Sequence, residues 1–234
     1  MLNSSTKIIL ITLFSIAMGY MEAVIVVYLR ALYYPAGFNF PLIPMDNRII
    51  VTELFRETAT IIMLLLIGIL TGRGTTQKFV YFLYAFAIWD IFYYVFLKVL
   101  INWPDSLFTW DILFLIPVPW VGPVIAPVIL SITIILLTLE VLLLNKRNYL
   151  VTLNFRDWLL LISGSLVIII SFTIDYLRII MASQVNTSSN MLENLHSFIP
   201  VSYNWWLFAI GEMLILFDLI LIYLKRSKYK TTEN

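Results

Sequence analysis

Residues 8–30 read IILITLFSIAMGYMEAVIVVYLR, an apolar run broken by a single carboxylate, Glu22, before it closes on Arg30. About 20 largely apolar residues cross the hydrocarbon of a bilayer as a helix. A charge in the middle of such a run costs several kcal/mol unless it is paired or hydrated, so Glu22 marks the run both as a span and as a functional candidate. Five further segments repeat the pattern, giving spans near 8–30, 49–71, 79–101, 118–144, 158–181 and 204–224. A barrel would show short alternating strands instead. The expectation is an all-α polytopic membrane helix bundle, a single integral membrane domain over 1–234.

Composition agrees. The chain is 61% hydrophobic and 12% charged, with mean hydropathy +0.93, against about 45–50% apolar residues in soluble domains. A net charge of +1 without a basic face excludes nucleic acid as a partner; the partners implied are membrane lipids. With no cysteine and one histidine, His196, thiolate chemistry and multi-imidazole sites are excluded. The cofactor is unknown from sequence; a metal, if present, would be a hard divalent ion with oxygen ligands. P-loop, dinucleotide, zinc-protease and nucleophile-elbow motifs are absent. Ser15-Ile16-Ala17 loosely mimics a signal cleavage site, but the apolar run continues to Leu29, so the first span is expected to remain uncleaved.

Topology follows from the basic residues. With the N-terminus inside, Lys7, Arg73, Lys78, Lys146, Arg147, Arg156, Lys225, Arg226, Lys228 and Lys230 fall on the inner side, ten of the 15 Lys and Arg residues. That places both termini in the cytoplasm and the protein in a plasma (inner) membrane. Tryptophans cluster at predicted span ends, except Trp89.

The stretch 102–118 is unusual. Its apolar piece 107–116 is too short to span, and Pro117, Pro119, Pro123 and Pro127 follow. A re-entrant or interfacial segment near 107–117 is expected, with the outer half of span four lining a cavity, because irregular backbone at membrane depth survives only in contact with protein or water.

Counting from the predicted outer span ends places Glu22, Glu57, Asp90, Asp175 and Glu212 about 10–16 Å deep. Helical spacing adds Arg30 to Glu22, Glu53 and Arg56 to Glu57, Tyr94 and Lys98 to Asp90, and Arg178 to Asp175. For any one pair, a structural ion pair is as good a reading as a functional one. Five spans contributing acids that exceed nearby bases favour a carboxylate-rich site open to the extracytoplasmic side, binding or transporting a proton, small cation or polar solute. The alternatives are a membrane-embedded enzyme acting on a lipid or lipid-linked substrate, with a carboxylate pair for acid–base work, and a non-catalytic subunit of a membrane complex. Gly68-x-x-x-Gly72 and Gly164 suit close helix packing. His196 and the Asn186 sequon read as loop features, and residues 225–230 as a basic anchor for anionic lipid.

Overall fold

The structure is a computed structural model and describes residues 3–146, 151–185 and 197–224. The His196, Asn186, Arg147 and 225–230 readings lie outside the described residues. Within them run six helices and one short hairpin: α1 (Ser4–Tyr33), α2 (Asn47–Thr71), α3 (Thr75–Ile101), β1 (Trp110–Phe114), β2 (Trp120–Pro123), α4 (Ile125–Lys146), α5 (Phe155–Val185) and α6 (Trp205–Leu224). All six helices are long and apolar enough to cross a membrane. The protein is a polytopic integral membrane helix bundle. Its outward faces carry Leu13, Phe55, Leu70 and Leu136, all more than half exposed, as lipid contact requires.

Local chemistry sets the helix ends. Asn3 caps α1 by accepting the Thr6 amide at 2.7 Å, and Asp46 caps α2 by accepting the Arg48 amide at 2.7 Å. α3 stops at Asn102, whose φ of 53° is left-handed backbone that asparagine tolerates better than most residues. At the far end of the bundle Lys7 Nζ donates to the Thr71 carbonyl at 2.6 Å, tying the start of α1 to the last turn of α2.

The largest departure from the expected spans follows α3. Residues 118–123 do not begin a helix; they belong to an antiparallel hairpin that pairs Asp111 with Gly122 and Ile112 with Val121, with an irregularity between Ile112 and Phe114. The prolines explain this, since helix is disfavoured before each one. α4 starts only at Ile125, with Pro127 in its first turn, where a missing amide leaves no bond unmade. The Val124 and Ile125 amides are satisfied across the hairpin base by the carbonyls of Thr109 (3.0 Å) and Leu107 (2.8 Å).

α3 is the central strut, with α1, α2 and α4 packed on it, while α5 pairs with α6 and α6 leans on α4. Small residues set the distances. A side chain on Gly68 would meet the Lys78 carbonyl at 2.6 Å, and one on Gly211 would meet the Gly164 carbonyl at 2.7 Å. The Gly68 and Gly164 motifs thus serve packing within one bundle, where van der Waals contact drives helix association. The α1 and α2 backbones stay apart over most of their length and are joined mainly through side chains. The gap they leave beside α3 is roofed by the hairpin.

Candidate functional site: a polar cavity under the hairpin

A cavity of about 510 Å³ lies among α1, α2, α3, the hairpin and the C-terminal half of α5. Its wall carries Glu22, Arg30, Glu53, Arg56, Glu57, Asp90, Tyr94 and Asp111 among aliphatic and aromatic side chains.

Arg56 organises one side. Its Nη1 donates to both oxygens of Glu22 at 2.6 Å, its Nε donates to Glu53 Oε2 at 2.6 Å, and its Nη2 lies 4.0 Å from Glu57 Oε1. Spacing explains the set: Glu53, Arg56 and Glu57 share a face of α2, and Glu22 faces them from α1. One guanidinium therefore serves three carboxylates. Glu57 turns its other oxygen to the hairpin, where Oε2 accepts the Leu115 amide at 3.0 Å.

A second pair lies deeper in the protein. Arg30 Nη2 donates to Asp111 Oδ1 at 3.1 Å, with side chains 11% and 2% exposed. The Arg30 guanidinium also sits 3.6 Å from the Trp103 ring centre and 4.6 Å from that of Phe38. Such stacking is worth about 2 kcal/mol when desolvated. Burial raises the Asp111 carboxyl from the ordinary 3.8 to about 6, against the opposing pull of Arg30, the Ile112 amide and the hydroxyls of Tyr94 and Tyr93. Those hydroxyls lie close enough to be felt, yet neither Tyr94 Oη nor Asp111 Oδ2 completes a well-formed hydrogen bond. On the third side Asp90 Oδ2 accepts from Ser131 Oγ at 2.9 Å, which links α3 to α4.

No family model matches the chain, and neither a curated protein nor a solved structure does. The cavity has to be read from its own chemistry.

Of the residues singled out from the sequence, Glu22, Arg30, Glu53, Arg56, Glu57, Asp90 and Tyr94 come together on this wall. Four others do not. Lys98 is exposed and donates to the Pro104 carbonyl at 3.0 Å. Asp175 and Arg178 pair with each other at 3.3 Å on an exposed surface of α5. Glu212 accepts from Thr133 Oγ1 at the α4–α6 interface, away from the cavity. Asp175 and Glu212 were placed by matching depth, and Lys98 and Arg178 by helical spacing to a neighbouring acid, and neither fixes which way a helix face turns. Among the described residues no three His, Asp or Glu side chains are grouped so as to hold a metal ion. At the densest carboxylate cluster the Arg56 guanidinium stands where a cation would.

Sequence reasoning missed Asp111, Trp89, Tyr93 and Tyr176, which also line the cavity. Asp111 was readable as the one charge inside the apolar piece 107–116. Trp89 was readable as the tryptophan remote from any span end. Tyr176 had no signal.

Proposed function

We propose that the protein binds a polar solute or small cation, a proton included, in this cavity and carries it across the membrane. One observation carries the reading. Among the described residues, Arg30 Nη1, Trp89 Nε1, Tyr94 Oη, Asp111 Oδ2 and Tyr176 Oη are buried without a hydrogen-bond partner, and all five residues line the same cavity. Unmet buried polar atoms cost about 1–3 kcal/mol each, so five among the residues around one cavity describe a place built to be filled. The five lining acids Glu22, Glu53, Glu57, Asp90 and Asp111 outnumber the lining bases Arg30 and Arg56, which disfavours an anionic ligand. The positive-inside count supports a cavity facing the extracytoplasmic side of a plasma membrane. In proteoliposomes holding a trapped pH dye, an imposed solute or cation gradient drives movement that Glu57→Gln and Asp90→Asn abolish at unchanged protein level. Normal movement in both variants rejects the site.

A second reading, a membrane-embedded enzyme, is supported by Tyr94. This buried phenol feels both Asp90 and Asp111, an arrangement suited to passing a proton. It predicts product formation from a lipid-linked substrate by purified protein with no gradient imposed.

A further inference from the structure

The five unpartnered atoms specify what the occupant must offer. Arg30 Nη1 and Trp89 Nε1 can only donate, an ionised Asp111 Oδ2 can only accept, and the phenols of Tyr94 and Tyr176 do either. A bare cation has nothing to accept the indole and guanidinium hydrogens. A carboxylate has no hydrogen for Asp111, and a carboxylate or phosphate would add negative charge to a wall where acids already prevail. A hydroxyl does both at once, donating to Asp111 and accepting from Trp89 or Arg30.

The rest of the wall is hydrocarbon. Val26, Leu29, Leu54, Leu113 and Ile180 line it, and the 44%-exposed Ile43 stands at its edge. The volume of about 510 Å³ falls in the range of about 300–1,000 Å³ typical of small-molecule sites. Trp89, Tyr94 and Asp111, on α3 and the hairpin, are each no more than 6% exposed.

We infer that the cavity takes an amphiphile with a neutral, hydroxyl-bearing head, of the class a sugar or polyol on a hydrocarbon chain provides. The head meets Asp111, Arg30, Trp89, Tyr94 and Tyr176, and the chain lies along the aliphatic wall. This rests on the solute-binding reading above and names its solute class.

The test uses full-length protein in lipid nanodiscs prepared without glycoside detergent. Octyl glucoside, octyltrimethylammonium, octyl phosphate and free glucose are titrated separately by calorimetry, with empty nanodiscs subtracted. Octyl glucoside is expected to bind saturably and at least tenfold tighter than either charged octyl compound or glucose. Tyr94→Phe and Tyr176→Phe, which keep the ring but remove an unpartnered hydroxyl, are each expected to weaken it about tenfold without lowering the melting temperature. The inference is overturned if the three octyl compounds bind alike, if a charged head is preferred, if glucose binds as tightly as its glycoside, or if both variants bind as wild type. Should it fall while Glu57→Gln and Asp90→Asn still abolish movement, the cavity carries a solute of another class. Should those variants move solute normally as well, the cavity reading itself is lost.

Discussion

A buried guanidinium is stable only while its counter-charge stays beside it. Removing one partner of such a pair costs about 3–5 kcal/mol, whereas replacing both with apolar groups is often neutral. Arg30→Met alone is therefore expected to lower the unfolding free energy by about that amount, and Arg30→Met combined with Asp111→Leu to recover most of it. Chemical denaturation of the purified variants checks this, and an additive double variant contradicts it. Asp111 also sets a pH dependence. Its carboxyl titrates near 6 in the fold against 3.8 when unfolded, so between those values the folded chain holds a proton that the unfolded chain has lost. The stability from this group is complete below about 3.8 and disappears as pH rises through about 6. Binding runs the other way, because a hydroxyl donates to the carboxylate and not to the acid, so affinity falls as pH drops through about 6. The groups facing Asp111 are Arg30 from α1 and Tyr93, Tyr94 and Asp90 from α3. Titrating affinity and melting temperature over this range should show opposite slopes, and Asp111→Asn should flatten the Asp111 part of both.

At the level of elements, close helix contacts can be tested against open positions. A side chain at Gly211 would meet Ile168 Cγ1 at 2.6 Å, while one at Gly74 would meet nothing within 4 Å. Gly211→Val is expected to force α5 and α6 apart at about 1–3 kcal/mol, and Gly74→Ala to leave the melting temperature unchanged. The same scale shows why part of the site was legible in sequence and part was not. Glu22, Arg56, Glu57 and Asp90 stand out because a charge inside an apolar run has few explanations. Asp175 and Glu212 share their depth but not their direction, and direction depends on which helix packs alongside. The hairpin was the hardest element, because its strands of five and four residues are apolar on average. Only the prolines signalled irregular backbone, and nothing in them says that Asp111 will meet Arg30.

For the whole molecule, six apolar runs sufficed to read the bundle, since the bilayer leaves a chain of this composition few other choices. Which face looks outward is a separate question. The natural chain has no cysteine, so a single introduced thiol reports its own side without background. Asp105→Cys, between α3 and the hairpin, is expected to react with a membrane-impermeant maleimide in intact cells. Gly74→Cys, between α2 and α3, is expected to react only after permeabilisation. The reverse pattern would invert the topology expected from the basic residues and turn the cavity toward the cytoplasm.

The Arg30–Asp111 pair joins positions 81 residues apart. A ribosome adding about 5–20 residues per second makes the arginine roughly 4–16 seconds before its aspartate. Through that interval the first span is complete while its basic end has no counter-ion, and α3, the helix it will lean on, is finished only near the interval's end. Biogenesis therefore has a vulnerable window early in translation, and a pause placed between α2 and the hairpin would prolong it.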